Sequence, residues 1–256
     1  MLARDSLLST PVYVLFALAL LTLGSLPSPA LASWRVIPIR LDLNAGGKTG
    51  TIKVINEEDQ PLQFQLKAAR WTQDAQGNDV YEDTEDLVFF PRILLVPAGE
   101  ERLIRAGFKV PATTEERAYR LFIEQIPVRA PETESQVAVV IRFGVPIFSA
   151  PLEPTAAGSL EDVRVEGGAV QMRTVNTGNI NFKMTSLVAR GLGADGEEVF
   201  VESIDGWYLL PGMMRDYVIP LPGAACALAR RIEIEVPSDR LELESSLDVT
   251  GEQCAP

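Results

Sequence analysis

The sequence predicts an all-β fold of two immunoglobulin-like β-sandwich domains, and three observations predict it. Apolar residues recur with period two almost everywhere, the spacing of a strand with one buried face. Turn-forming residues interrupt these runs at short, regular intervals. One segment, Ser149-Ala-Pro-Leu-Glu-Pro-Thr-Ala-Ala-Gly158, gathers two prolines, small residues and a glycine, and divides the chain into halves. Heptads, long amphipathic helices and low-complexity tracts are absent from the sequence.

In the first half, Ile37, Ile39, Leu41 and Leu43 alternate with polar residues or proline and read as a half-buried strand. Asn44-Ala-Gly-Gly47 is a turn, and Ile52 and Val54 open the next strand. Leu62, Phe64, Leu66 and Ala68 alternate towards Trp71, followed by a hairpin connection with Gly77-Asn78-Asp79 at its tip. Val88–Phe90, Ile93–Val96 and Arg102–Phe108 follow, with Pro97-Ala-Gly-Glu100 turning the chain between the last two. Tyr119, Leu121 and Ile123 form another face, and Val137, Val139, Ile141 and Phe143 the last strand of this half. About seven short strands in roughly 115 residues fit one sandwich.

The same pattern resumes in the second half. Val163 and Val165, then Val170 and Met172, flank Gly167-Gly168. Asn176–Asn179, Gly193–Glu197 and Leu210-Pro-Gly-Met213 are turns, and Tyr217–Pro220, Ile232–Val236 and Leu241–Leu247 close the domain. The expected organisation is residues 1–32 as a signal peptide, 33–150 as the first sandwich and 151–256 as the second.

Composition narrows the function. The chain of 256 residues carries a net charge of −12, which disfavours a general nucleic-acid or anionic-membrane role. It has no histidine, which removes Ser-His and Cys-His nucleophilic pairs, His-ligated zinc and the usual general base near neutral pH. Lys109 and the scattered carboxylates form no catalytic grouping, so neither an enzyme nor a cofactor is expected. The cluster Glu82, Asp83, Glu85 and Asp86 lacks the ligand spacing of a calcium loop and reads as a solvated acidic loop; no metal is expected.

Arg4, the apolar run Val12–Leu23, and Ala30-Leu31-Ala32 have the order of a secretory signal, with cleavage expected after Ala32. The alternative is a membrane anchor, for which the run is short. Export permits disulfides, and a bridge between Cys226 and Cys254, the two cysteines, is expected; two buried thiols are the alternative.

Arginines supply 18 of the 23 basic residues, and two stand out. Arg40 sits on the polar side of the first strand, and Arg142 interrupts the apolar run Val139-Val-Ile-Arg-Phe143. A desolvated guanidinium needs an anionic partner, so the two could meet in a cleft and hold a terminal carboxylate; each could instead pair with a surface Asp or Glu.

Four segments in order are similar to those of the periplasmic chaperones that escort pilus subunits: Val36–Arg40, Phe90–Gly99 with Arg102–Arg105, Tyr119–Pro127 and Ile141–Phe148. The resemblance implies two immunoglobulin-like domains at an angle, in a boomerang. It implies that Arg40, with Arg142 near the family's lysine position, anchors the C-terminal carboxylate of an exported pilin-like subunit. It implies strand donation through Val137, Val139 and Ile141, an outer-membrane usher as second partner, a periplasmic location, and self-association as a hazard of the free edge. The chain departs from the family in its polar stretch Val128–Gln136, and in Val145, where an arginine of an inter-domain charge latch is usual opposite Glu116. The rivals are a structural component of a surface fibre, or a carbohydrate-binding accessory protein using Trp71, Trp207 and Tyr208.

Overall fold

The computed structural model describes residues 34–44, 48–127 and 140–254, and Trp34–Pro256 cluster as one compact unit. The expected signal peptide, Val137 and Val139 lie outside the described residues. Among the described residues no helix is long and apolar enough to cross a membrane.

The first half comprises β1 (Trp34–Ile37), β2 (Leu41–Leu43), β3 (Thr49–Asn56), β4 (Leu62–Gln73), β5 (Asp79–Asp83), β6 (Leu87–Phe90), β7 (Ile93–Val96), β8 (Glu101–Phe108), β9 (Arg117–Gln125) and β10 (Arg142–Ser149). Among the described residues they form two sheets, one in the order β1-β3-β8-β6 and one in the order β2-β10-β9-β4-β5 with β7 also on β4. Their facing sides bury Ile52, Val54, Phe64, Val96, Ile104, Tyr119, Leu121, Ile123, Val145 and Ile147 completely. This is the two-sheet, alternating core that period-two sequence dictates.

The last strand of this half, expected to end at Phe143, is described from Arg142 to Ser149, and the first strand also differs from expectation. The half-buried strand read from Ile37 to Leu43 is two strands in two sheets. Trp34 and Val36 are the buried residues of β1, while Ile37 and Ile39 are 48% and 68% exposed. Pro38 has no N–H to continue the antiparallel ladder with β3, and the chain crosses over. It then resumes as β2, parallel to β10, with Leu41 opposite Ile147.

The second half comprises β11 (Gly158–Glu166), β12 (Ala169–Asn176), β13 (Phe182–Lys183), β14 (Ser186–Leu192), β15 (Glu198–Asp205), β16 (Tyr208–Leu209), β17 (Met214–Pro220), helix α1 (Gly223–Cys226), β18 (Arg231–Pro237) and β19 (Glu242–Asp248). Sheets β11-β12-β17 and β15-β14-β18-β19 enclose Val170, Phe182, Met184, Leu187, Ala189, Ile219, Ile232 and Val236. Cys226 and Cys254 form a disulfide within this core, Cα atoms 5.7 Å apart, tying the last described turn to α1. Gly212, at φ +67°, closes the expected turn into β17.

A third apolar cluster joins the halves: Trp71, Ala118 and Phe148 from the first, Tyr208 and Leu210 from the second. The Gln73 amide spans it like a strand partner. Its Nε2 donates to the Tyr208 carbonyl at 2.9 Å, and its Oε1 accepts from Leu210 N–H at 3.0 Å.

Candidate functional site

The outward face of β9 and β10 forms the floor of the candidate site. Alternation puts Tyr119, Leu121 and Ile123 into the core and turns Ala118, Arg120 and Phe122 outwards. On β10 the outward set is Arg142, Gly144, Pro146 and Phe148, with register partners Glu124, Phe122, Arg120 and Ala118.

Arg40 lies at the end of this face nearest the second sandwich. Its Nε and Nη2 donate to the two oxygens of Asp42, each at 2.8 Å, and its Nη1 donates to Asp239 Oδ2 at 2.7 Å. The guanidinium rests over Phe148, 4.6 Å from the ring centre, and its side chain is 17% exposed. Burial pulls its pKa down, but the Asp42 bond and the charges of Asp42 and Asp239 outweigh burial and raise it.

Arg142 lies at the other end. The register brings Arg40 level with Pro146, so Arg142 is four residues away along β10, about 13 Å. It stacks on Phe122 at 3.7 Å and pairs with Glu124 at 3.7 Å, its side chain half exposed. The two arginines therefore each hold a carboxylate of this chain and do not converge on one point. Ile141, the donor residue within the described part, precedes β10 and is exposed.

Opposite Pro146 on β9, and so at Arg40's end of the face, sits Arg120, which sequence reasoning did not single out. It is 7% exposed, lies 4.0 Å over Trp71, and has Trp207 and Tyr208 within 6 Å of its guanidinium carbon. Its Nη1 donates to the Gly144 carbonyl at 3.0 Å, whereas Nε and Nη2 are buried without an acceptor. Among the described residues no carboxylate comes within 4.0 Å of it. A buried guanidinium with unused donors is costly unless an anion completes it. The signal available in sequence was an arginine at an outward strand position with aromatic neighbours, which alone reads as solvated surface.

Residues 34–154 match the family described as pili and flagellar-assembly chaperone, PapD N-terminal domain. The match spans the whole of the first sandwich, β1 to β10. "Probable fimbrial chaperone EcpB" of Klebsiella pneumoniae strain 342 is 26% identical over 215 residues, covering 79% of this chain and 87% of the relative. Two solved structures share the fold. A chain of the CsuC–CsuE chaperone–tip adhesion subunit pre-assembly complex of Acinetobacter baumannii has a TM-score of 0.57 at 18% identity, covering 83% of this chain and 98% of its own. The class 5 fimbriae chaperone CfaA has a TM-score of 0.55 at 15% identity, covering 83% and 98%. The resemblance to fimbrial chaperones and the all-β, two-sandwich fold expected from sequence are thereby borne out.

Glu116 makes a contact between the two sandwiches. Val145 is wholly buried in the first core, and Glu116 turns to the second sandwich. Its Oε1 accepts from the N–H of Asn181 at 2.8 Å and also from the Asn181 side-chain amide. Burial holds the Glu116 carboxyl above its ordinary pKa, which the Asn181 donors only partly offset. Asn179 adds further bonds to the Thr114 and Glu153 carbonyls. Trp71 and Tyr208 are buried at the junction, and the Trp207 indole donates to Asp79 at 3.0 Å, so the three do not form an open sugar platform. In the acidic loop, Asp83 pairs with Lys67 and Asp86 with Arg70 and Tyr119.

Proposed function

We propose that the chain is a periplasmic chaperone, exported by residues 1–32, that captures a pilin-like subunit by β-strand addition and passes it to an outer-membrane usher. Residues 33–150 form the capturing domain and 151–256 the second sandwich. The observation that carries this reading is the edge of β10. β2 pairs only with Ile147–Ser149, so among the described residues Arg142–Pro146 present an unpaired backbone edge. Ile141 stands exposed beside this edge, with Arg40 and Arg120 flanking Pro146 at one end of it and Arg142 at the other. A strand added there gains backbone hydrogen bonds, and a cation at its end fixes its register by holding the terminal carboxylate. The printed descriptions of the relatives, fimbrial chaperones and a chaperone–subunit complex, support the same class of partner.

Arg40 is the primary anchor in this reading. Arg120 complements it better than Arg142, because its Nε and Nη2 are buried and unused while the donors of Arg142 face Glu124 and solvent. Val137 and Val139 would continue the apolar series of Ile141.

Affinity purification of the tagged protein from periplasm, with mass spectrometry of what accompanies it, tests the proposal. A stoichiometric, small, exported β-rich protein is expected. A solitary protein that assembles into surface fibres would replace the chaperone with a fibre component.

A further inference from the structure

Resting on the carboxylate-anchoring reading of Arg40, we propose that Asp42 is an internal stand-in for the subunit carboxylate, an autoinhibitory partner that the incoming strand displaces. The geometry is that of the complex it would replace. Both oxygens of Asp42 lie on Nε and Nη2 of Arg40, the parallel two-bond pairing by which arginine grips a carboxylate. Asp42 is two residues away on the same chain, so it competes intramolecularly at high effective concentration.

The surrounding charges make an exchange feasible. Asp42 Oδ1 also accepts from Arg240 Nη2 at 3.2 Å, and Asp239 binds Arg40 through Oδ2 while its Oδ1 accepts from the Lys183 N–H at 2.7 Å. Arg40 and Arg240 against Asp42 and Asp239 form a neutral quartet, so the fork of Arg40 carries no unbalanced charge of its own. When a ligand carboxylate takes the fork of Arg40, Asp42 keeps Arg240 as a partner and is not left unpaired. Asp239 stays on the third donor and holds Arg40 in place over Phe148. The latch thus withholds the anchor from free carboxylates and yields to one delivered by a strand that also pairs with β10.

The test uses the whole mature protein and a short synthetic peptide of alternating valine and threonine, with either a free C-terminal carboxylate or a carboxamide. Asp42→Asn keeps the shape and removes the charge. The expected result is that Asp42→Asn binds the carboxylate peptide about tenfold more tightly than wild type, as a freed charge-assisted pair would give, with the carboxamide peptide unchanged. Asp42→Ser serves as the second variant should the first fail to fold, with the same expectation. If wild type prefers the carboxylate and neither variant binds it more tightly, the latch is overturned while Arg40 remains an anchor. If neither wild type nor variants distinguish the two peptides, the carboxylate reading falls and the latch with it.

Discussion

The two ends of the β9–β10 face share one sheet and one alternation, yet they have become different environments. At the end carrying Ala118 and Phe148, the second sandwich covers the strands with Tyr208 and Leu210; Arg120 is buried and Arg40 partly buried against aromatic rings. At the end carrying Phe122 and Arg142, the outward side chains are only partly buried or exposed. There the arginine stacks on its neighbour, pairs loosely with Glu124 and remains half exposed. An outward-facing cation on a sandwich is ordinary surface until another layer removes its water, and then it demands an anion.

The largest effect expected from this contrast is at Phe148. It is fully buried, packs on Trp71 and Tyr208, and lies under the guanidinium of Arg40. Phe148→Ala should cost about 3–5 kcal/mol in chemical denaturation, through lost burial and the cavity left behind. A loss below about 1 kcal/mol would mean that the covered end is not a true junction core.

A smaller effect concerns pH. Glu116 is an acid whose folded-state pKa lies above its usual 4.5, chiefly because burial disfavours its anion. Its stabilising contribution is therefore fully present below that usual value and lost as pH rises through the folded value. Glu116→Gln can still accept from the Asn181 N–H and does not ionise. Thermal midpoints of variant and wild type should converge in acid, with the variant ahead at neutral pH. A wild type that gains on the variant as pH rises would reverse the assignment.

How much of this was legible beforehand follows from what alternation encodes. Leu62, Phe64, Leu66 and Ala68, and then Tyr119, Leu121 and Ile123, were placed facing the core because period two fixes a strand's two faces. Leu210-Pro-Gly-Met213 was readable as a turn because only glycine adopts the positive φ of Gly212 at little cost. The crossover at Pro38 was missed because Ile37, Ile39, Leu41 and Leu43 keep perfect alternation across a change of sheet. Arg120, Asp239 and Arg240 were missed because their importance depends on which residues of the other sandwich cover them. Those contacts join positions 199 residues apart, as in Arg40 with Asp239, and no local pattern carries them.

The central claim is that a cation at the covered end holds the subunit, while the open end only guides its strand. Capture of the co-purifying subunit should be compared for wild type, Arg40→Ala and Arg142→Ala, with folding of each confirmed by its melting transition. The account predicts that Arg40→Ala abolishes capture, and that Arg142→Ala weakens it only modestly and costs under about 1 kcal/mol of stability, as an exposed ion pair would. Undiminished capture by folded Arg40→Ala would contradict it.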